Sequence, residues 1–290
     1  MLLDQLELPA NNLIEDSVVA NFSKQAFIYD KVARAHKVAA HNLDQCIASN
    51  STSAPSGNIL EVGCGTGILS QYLVRRFLNQ KIHLLDPAPN MLVMCRKNLD
   101  KHLRQLKPDN LTPPIFIEST IEEFLTESRF AKINFALIAS SFTLHWCIDL
   151  PAVIKQLVNK LEPRGQLFFS YPVAGSFPEW REMSINLDIP FTANELPCQN
   201  KLRSAIDNTQ ATVDYRQYSC QVNFVSALQF FQEMKRLGAT SPVLTKSSNQ
   251  ENGLPTRKLT VGDFRRLLAA WRVPINCTYE IIEGIITRRG

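Results

Sequence analysis

Hydrophobic and polar positions alternate between strand and helix spacing along the first two thirds of the chain. Helical spacing runs through residues 18–48, and turn-forming residues at 50–57 follow it. Short buried strands are predicted at 59–62, 82–85, 115–117, 135–139 and 166–171. Helices are predicted between them at 68–77, 90–106 and 151–161, and a turn is predicted at 162–165. Strands that alternate with helices in this way predict a parallel sheet with right-handed crossovers.

The alternation of strands and helices changes after residue 171. Residues 175–213 contain three prolines and no clean period, so we expect a cap over the carboxyl edge of the sheet. Two further strands are predicted at 218–224 and 279–286, with helices at 226–237 and 260–272 between them. The pattern therefore predicts an α/β fold with a seven-stranded, mostly parallel sheet, helices on both faces and a cap insertion. We divide the chain into a helical segment (1–54), a core (55–174) and a segment with the cap and last strands (175–290).

Composition narrows the class of protein. Hydrophobic residues make up 45% and charged residues 20% of the chain, which is ordinary for a soluble globular protein. The first sixteen residues lack the pattern of a signal peptide, and no apolar stretch approaches the roughly 18 residues of a membrane span. Seven scattered cysteines without a C-x-x-C pair favour a reducing cytoplasm, and five histidines without an H-x-x-x-H pair predict no metal site.

Charge is distributed unevenly. Residues 1–199 contain 18 Lys and Arg against 20 Asp and Glu, whereas residues 200–290 contain 13 against 7. The basic C-terminal portion is either a solvated surface or a docking surface for an acidic partner. Nucleic acid is a weaker candidate, because no long basic run is interleaved with aromatic residues.

The first candidate for chemistry is the segment 61–67, which reads Glu-Val-Gly-Cys-Gly-Thr-Gly. A glycine turn between a strand and a helix lets backbone N–H groups face a ligand closely. Glu61, two residues before the first glycine, can bind an amino group. Asp86 ends the second strand, where a carboxylate can accept both hydroxyls of a ribose or can simply cap the next helix. Met91 follows and can pack on an adenine.

This pair of motifs resembles the class I S-adenosylmethionine-dependent methyltransferases, which have a Rossmann-like fold. The resemblance covers residues 55–172 and implies S-adenosylmethionine as the cofactor, with the N-terminal helical segment covering its site. It implies that Glu61 lies near the methionine amino group and that Asp86 binds the ribose. The expected cofactor-binding residues are Glu61, Gly63, Cys64, Gly65, Gly67, Asp86, Pro87, Met91, Thr120, Ile121 and Ser140. Cys64 is expected to act through its backbone and not as a nucleophile.

A finer resemblance extends over residues 22–288. The segments 140–147, which reads Ser-Ser-Phe-Thr-Leu-His-Trp-Cys, and 171–179 are similar to the malonyl-[acyl-carrier protein] O-methyltransferases of biotin synthesis (the BioC family). So are the segments 22–30, 228–240 and 278–288. The resemblance implies methyl transfer to the free carboxylate of a malonyl thioester, and an acidic acyl carrier protein that docks on the basic C-terminal portion.

One position departs from the family pattern. The family often has an acidic residue after the third strand that holds the adenine amino group, and Thr120 stands there in this chain. Adenine is then held either by the Thr120 hydroxyl and the backbone, or by Glu118.

Candidate catalytic and substrate residues come from the cap, the N-terminal helix and the loop after the fourth strand. We expect His145 and Tyr29 to be catalytic. The expected substrate-binding residues are Phe142, Trp146, Tyr171 and Arg181. Tyr29 and Trp146 can equally be packing residues. Arg181, Arg203 and Lys201 are unranked candidates for holding a carboxylate, to which the fork of an arginine is suited.

Two other functions stay open. One is methyl transfer to an amine or hydroxyl of another small molecule or protein, which needs a general base, and His145 is the first candidate for it. The other is an assembly factor of methyltransferase-like fold that binds its cofactor poorly. The departure at Thr120 favours the second slightly, whereas the intact glycine motif opposes it.

Overall fold

Seven strands pair side by side in the computed structural model, which describes residues 10–50, 56–106, 108, 110–206, 209–237, 257–272 and 275–290. Only the backbone is described for residues 10–16 and for residue 201. The strands are β1 (Ile59–Val62), β2 (Ile82–Asp86), β3 (Ile115–Glu118), β4 (Phe135–Ser141), β5 (Leu161–Pro172), β6 (Ala211–Phe224) and β7 (Ile275–Arg288). Their order in the sheet is β3-β2-β1-β4-β5-β7-β6. Strands β1 to β5 are parallel, and β7 runs antiparallel to both β5 and β6.

Helices cover both faces of this sheet. They are α1 (Ala10–Val32), α2 (Arg34–Asn50), α3 (Ser70–Arg76), α4 (Pro89–Leu106), α5 (Ile121–Thr126), α6 (Leu150–Lys160), α7 (Pro178–Asn186), α8 (Gln199–Ile206), α9 (Ala227–Arg236) and α10 (Val261–Ala270). Local sequence sets several of the helix starts. Thr120 and Thr260 form capping boxes at α5 and α10, and Asp149 and Ser226 cap α6 and α9.

The core consists of layers on either side of the sheet and a third cluster at its edge. Helices α5, α6 and α8 bury their apolar residues against one face, and α2, α3 and α4 bury theirs against the other. A cluster rich in aromatic residues joins α7, α9 and α10 to the ends of β6 and β7. Helix α1 packs on α4 through small and aromatic residues. The predicted α/β fold with a seven-stranded, mostly parallel sheet is thereby confirmed, and the division of the chain at residues 54 and 174 stays a prediction.

The order of the strands reverses between β1 and β4, so the loops that follow these two strands diverge from each other. In open α/β sheets, such a switch point opens a crevice at the carboxyl ends of the strands. The glycine loop 63–67 follows β1, and the loop that contains His145 follows β4. The topology therefore brings the two principal motifs of the sequence to one crevice.

Three local expectations were wrong. The helix expected at 18–48 is two helices that meet at Ala33, although backbone hydrogen bonds continue through this residue. The interruption lets α1 lie on α4 while α2 lies on the sheet. The turn expected at 162–165 lies inside β5 as an irregularity, because Leu161 pairs with Phe135 and Gln166 with Leu137. The strand expected at 218–224 begins earlier, at Ala211, and the segment expected to be a cap also contains α7 and α8.

Candidate functional site

The glycine loop is a tight turn in which each glycine has a left-handed backbone. The φ angles of Gly63, Gly65 and Gly67 are 72°, 52° and 91°. A Cβ atom added to Gly63 would lie 2.0 Å from Oγ1 of Thr143, and one added to Gly67 would lie 3.0 Å from Sγ of Cys95. No atom of the described residues lies within 4 Å of a Cβ added to Gly65. Gly63 and Gly67 thus allow close packing, whereas Gly65 faces open space.

Asp86 connects this loop to the end of β2. Its Oδ2 accepts a hydrogen bond of 2.8 Å from the backbone N–H of Gly65, and its Oδ1 accepts one of 2.9 Å from that of Ala88. Burial raises the pKa of Asp86 to about 6, although both hydrogen bonds act in the opposite direction. The carboxylate therefore supports the loop from within the protein, in addition to any contact with a ligand.

Glu61 is a buried carboxyl group with an unsatisfied oxygen. Only 1% of the residue is exposed, and its Oε2 has no hydrogen-bond partner among the described residues. Burial raises the pKa of Glu61 to about 8; a hydrogen bond with Ser70 lowers it, and the nearby Asp86 raises it further. A buried carboxyl oxygen without a partner is costly for the folded protein, so this site favours a cationic or hydrogen-bond-donating ligand.

A cavity of about 150 Å³, the first cavity, opens against these residues. Its wall includes ten of the expected site residues, namely Tyr29, Glu61, Gly63, Cys64, Gly65, Asp86, Pro87, Met91, Phe142 and Trp146. Helix α1 closes one side of it with Val18, Val19, Phe22 and Tyr29. The structure thus brings the N-terminal helix, the glycine loop and the end of β2 together around one space.

A polar contact holds α1 against the glycine loop. Oδ1 of Asp30 accepts a hydrogen bond of 2.5 Å from the Thr66 hydroxyl, and Oδ2 accepts one of 3.0 Å from the Asn98 amide. The same amide donates to the backbone carbonyl of Thr66 over 2.9 Å. These bonds fix α1 over the first cavity.

A larger cavity of about 370 Å³, the second cavity, lies beside the first. Aromatic and aliphatic side chains from α7, α9, α10 and β7 form most of its wall, together with residues 192–196 of the cap. Phe22, His36, Phe142 and Trp146 line both cavities, and we call these four residues the junction. A small cavity with two buried carboxyl groups in its wall and a larger cavity therefore meet at an aromatic constriction.

Two imidazoles are placed at this constriction in neutral form. Burial lowers the pKa of His36 to about 3. Burial, together with the charge of His36, lowers the pKa of His145 to about 3 as well. Neither imidazole has a partner for its buried Nδ1 among the described residues. A neutral imidazole can still donate one hydrogen bond and accept another, but it is a weak base here.

His36 is a site residue that sequence reasoning missed. It follows Phe22 and Tyr29 at intervals of seven residues, a spacing that repeats one face over two helical turns. Phe22 and Tyr29 were recognised as members of this face, and the same spacing extended by one step identifies His36.

Four expected cofactor residues lie outside the first cavity. Gly67 packs against Cys95. Thr120 caps α5, because its hydroxyl accepts a hydrogen bond of 3.2 Å from the backbone of Glu123. Ile121 is buried in the core beside that helix, and the fully buried Ser140 donates to the carbonyl of Val62 over 3.1 Å. The contacts of these four residues with their neighbours are thus packing, hydrogen-bonding and helix-capping contacts.

The alternative adenine partner, Glu118, also lies elsewhere. It lines an open groove along α4 together with Arg96 and Lys97. Among the described residues, no acidic side chain from the end of β3 lines the first cavity. Adenine binding by the backbone and by Met91 therefore stays a prediction. Met91 does line the cavity.

Two expected substrate residues do not line the second cavity. Tyr171 is 1% exposed and stacks near Phe169, on the face of the sheet that α6 and α8 cover. Side chains alternate along a strand, so Tyr171 points away from the face that Phe168 covers. The Arg181 guanidinium lies 4.2 Å from the centre of the Phe191 ring. Phe142 and Trp146, the other two expected substrate residues, line the cavity.

Within the described ranges, neither a metal-binding cluster nor a membrane-spanning helix is present. Among these residues, no three His, Cys, Asp or Glu side chains are grouped so that they could hold a metal ion. None of the helices in the described part of the chain is long and apolar enough to cross a membrane.

Comparison with known proteins gives a consistent result. The family model described as "Methyltransferase domain" matches residues 32–239. The chain is 30% identical over 232 residues to malonyl-[acyl-carrier protein] O-methyltransferase 1 of Ilyobacter polytropus, and this match covers 78% of each chain. It is 25% identical to the malonyl-[acyl-carrier protein] O-methyltransferase of Serratia marcescens, over 96% of this chain and 98% of that one.

A third relative is longer than this chain. The biotin biosynthesis bifunctional protein BioCD of Bordetella avium is 31% identical over 79% of this chain, but the match spans only 45% of that relative. Among solved structures, the YcgJ protein of Bacillus subtilis superposes with a TM-score of 0.54 at 12% identity and covers 86% of this chain and 99% of its own. At that identity the likeness shows the fold alone.

Proposed function

This chain belongs to the methyltransferase domain family and is a class I S-adenosylmethionine-dependent methyltransferase; from that premise we propose that it methylates the free carboxylate of a malonyl group on an acyl carrier protein. The observation that carries the proposal is the pair of adjoining cavities that meet at the junction, one against Glu61, Asp86 and the glycine loop and the other against the cap. The names of the relatives from Ilyobacter polytropus and Serratia marcescens support the choice of acceptor.

The residues around the first cavity fit S-adenosylmethionine. The unpartnered Oε2 of Glu61 suits the cationic amino group of the methionine part. Gly65 has open space where a ligand can approach the backbone, and the remaining lone pairs of Asp86 can accept ribose hydroxyls. When bound, the cofactor supplies a methyl group on a sulfonium sulfur, and its transfer to a carboxylate oxygen gives a methyl ester and the neutral thioether S-adenosylhomocysteine.

The second cavity suits a carboxylate that needs no general base. A carboxylate is already ionised at neutral pH, so the protein has to align it and exclude water rather than remove a proton. The aromatic wall of the junction provides apolar surroundings for this step. The low pKa of His145 makes it a poor base for an amine or hydroxyl acceptor, and this favours the carboxylate over the alternative acceptors.

The rate of the chemical step is therefore expected to be flat from about pH 6 to about pH 8. The acceptor is ionised throughout this range, and His36 and His145, with pKa values of about 3, remain neutral. Single-turnover rates with saturating S-adenosylmethionine and malonyl-carrier protein test this expectation. Saturation is needed because Glu61 and Asp86 titrate near this range and would change cofactor affinity. A rise with a midpoint near the ordinary histidine pKa of about 6.5 would contradict the proposal.

Several exposed basic residues lie next in sequence to residues that line the second cavity. Lys235, Arg236, Lys258 and Arg265 are exposed and are sequence neighbours of the cavity-lining residues Met234, Leu237, Leu259 and Phe264. Arg257 and Arg266, by contrast, form ion pairs with Asp263. The first four cations support docking of an acidic carrier whose prosthetic arm enters the cavity.

Reversing two of these charges, Lys235→Glu with Arg265→Glu, is expected to raise KM for the malonyl-carrier protein about threefold to tenfold at low salt. KM for malonyl-coenzyme A, which lacks the protein surface, should hardly change. Lys155→Glu on the exposed side of α6 is the matched control. Equal responses of both thioesters, or a loss of S-adenosylmethionine affinity, would show that these residues are not a carrier-docking surface.

A further inference from the structure

His36 and His145 are the two imidazoles that line the second cavity, and they approach it from different elements. His36 is in the first turn of α2, and His145 is in a short 3-10 turn after β4. His36 lines both cavities, whereas His145 lines the second only. The pair thus stands at the place where a methyl donor and an acceptor would meet.

Phe142 is in ring contact with both imidazoles. Its ring centre lies 4.3 Å from that of His36 and 6.1 Å from that of His145. Its backbone is held in the left-handed region at φ 54°, and its N–H donates to the carbonyl of Ser170 over 2.7 Å. A non-glycine residue in this conformation needs firm support from its surroundings. Both imidazoles therefore pack against a fixed aromatic ring.

The hydrogen-bonding capacity of both imidazoles is unused in the protein itself. Nδ1 of each is buried without a partner among the described residues. With Nδ1 enclosed in this way, Nε2 is the nitrogen left to meet a ligand in the cavity. An imidazole that makes no hydrogen bond within the described residues is suited to bind a polar ligand through Nε2, and two such imidazoles line the second cavity.

We infer that His36 and His145 form a pair of neutral hydrogen-bond donors that bind the accepting carboxylate at the junction. The inference rests on the proposed function, because it takes a carboxylate as the acceptor. A carboxylate has lone pairs on both oxygens, so it can accept two N–H bonds and keep a lone pair for attack. An attacking amine would lose its only lone pair to such a donor. The pair thus selects acids over amines.

Neutral donors also differ from an arginine in their effect on reactivity. A bidentate guanidinium would neutralise the carboxylate and occupy both oxygens. Two imidazoles orient the group and leave its charge in place. His36 and His145 are therefore specificity-determining residues. At either position, the amide N–H of a glutamine can replace the imidazole N–H.

Binding of malonyl-coenzyme A and acetyl-coenzyme A, measured by calorimetry in the presence of S-adenosylhomocysteine, tests the inference. His36→Leu and His145→Leu should each lose about tenfold to hundredfold in affinity for the malonyl probe, the range for one hydrogen bond to a charged group. Affinity for the acetyl probe, which lacks the carboxylate, should stay the same. His36→Gln and His145→Gln should retain malonyl affinity within about threefold, because the amide donates in place of the imidazole.

The outcomes separate the inference from the function on which it rests. If the wild-type protein methylates malonyl-carrier protein but the leucine variants bind both probes alike, the histidines only pack and the inference is wrong. If the wild-type protein does not methylate it, the proposed function itself fails. The melting temperature of each leucine variant controls for folding. For the His145 variant, an unchanged affinity for S-adenosylhomocysteine is a second control. Where a leucine variant melts early, methionine at the same position replaces it, because methionine fills irregular space.

Discussion

Replacing Glu61 by glutamine is expected to weaken S-adenosylmethionine binding by about tenfold to hundredfold, the value of one charge-assisted hydrogen bond. The carboxyl oxygen Oε2 has no partner within the described residues, so the amino group of the cofactor is the partner that we expect it to receive. A glutamine is almost the same size and keeps the shape of the cavity, but it brings no charge. The loss should therefore appear as affinity and not as misfolding.

The same substitution should stabilise the protein when no cofactor is present. Burial raises the folded-state pKa of Glu61 to about 8 from the ordinary 4.5. The folded protein then holds a proton that the unfolded chain has lost, so stability is fully present below the unfolded pKa and is lost as pH rises through the folded pKa. The loss is about 1.4 kcal/mol for each pH unit inside that window. Glutamine does not titrate and removes this loss.

Calorimetry and urea unfolding at about pH 5.5 and about pH 8 measure the two effects on one variant. We expect lower cofactor affinity together with a smaller fall in the free energy of unfolding between the two pH values. Glu182→Gln, on the exposed side of α7, is the control and should change neither quantity. Unchanged cofactor affinity in the Glu61 variant would show that the amino group binds elsewhere.

Alanine at Gly63 and alanine at Gly65 are expected to fail in different ways. A Cβ at residue 63 would lie 2.0 Å from Oγ1 and 2.6 Å from Cβ of Thr143, on a backbone with φ 72°. The left-handed strain and the overpacking together should cost about 2–5 kcal/mol of folding free energy. At Gly65 only the strain applies, about 1–2 kcal/mol, because a Cβ there meets no described atom within 4 Å. The new methyl group would instead enter the first cavity.

Urea unfolding and calorimetry distinguish the two variants. Gly63→Ala should lose stability, and Thr143→Gly in the same chain should recover part of it, because the clash is with that side chain. Gly65→Ala should remain folded but bind S-adenosylmethionine much more weakly. If Gly65→Ala binds the cofactor as tightly as the wild-type protein, the backbone at residue 65 does not approach the ligand.

The cofactor half of the crevice could be predicted from sequence because local rules determine it. Strands β1 and β2 are continuous buried runs, and the glycine loop and Asp86 follow them directly. Their meeting at one edge is a consequence of parallel pairing, which places the carboxyl ends of neighbouring strands together. The first half of β6 was missed because it lies at the edge of the sheet, where its residues alternate between exposed and half-buried positions.

The acceptor half depends on contacts between distant segments, and sequence reasoning was less successful there. The second cavity joins residues 22 and 36 to the loop after β4, to residues 192–196 and to residues of α9, α10 and β7. No periodicity links these segments, so nothing local indicated which side chains would face inward. Arg181 was considered because arginine suits a carboxylate, yet its guanidinium stacks on Phe191. His36 is the exception, because it continues the seven-residue spacing of Phe22 and Tyr29.

The most direct test of the proposed function is the product formed from malonyl-carrier protein and S-adenosylmethionine carrying an isotopically labelled methyl group. Intact-protein mass spectrometry should show one labelled methyl group added to malonyl-carrier protein, and none added to the acetyl- or unacylated carrier. Mild alkaline hydrolysis should release the label as methanol, because the bond formed is an ester. If the protein binds S-adenosylmethionine but leaves malonyl-carrier protein unlabelled, or labels the unacylated carrier equally, the malonyl carboxylate is not its acceptor.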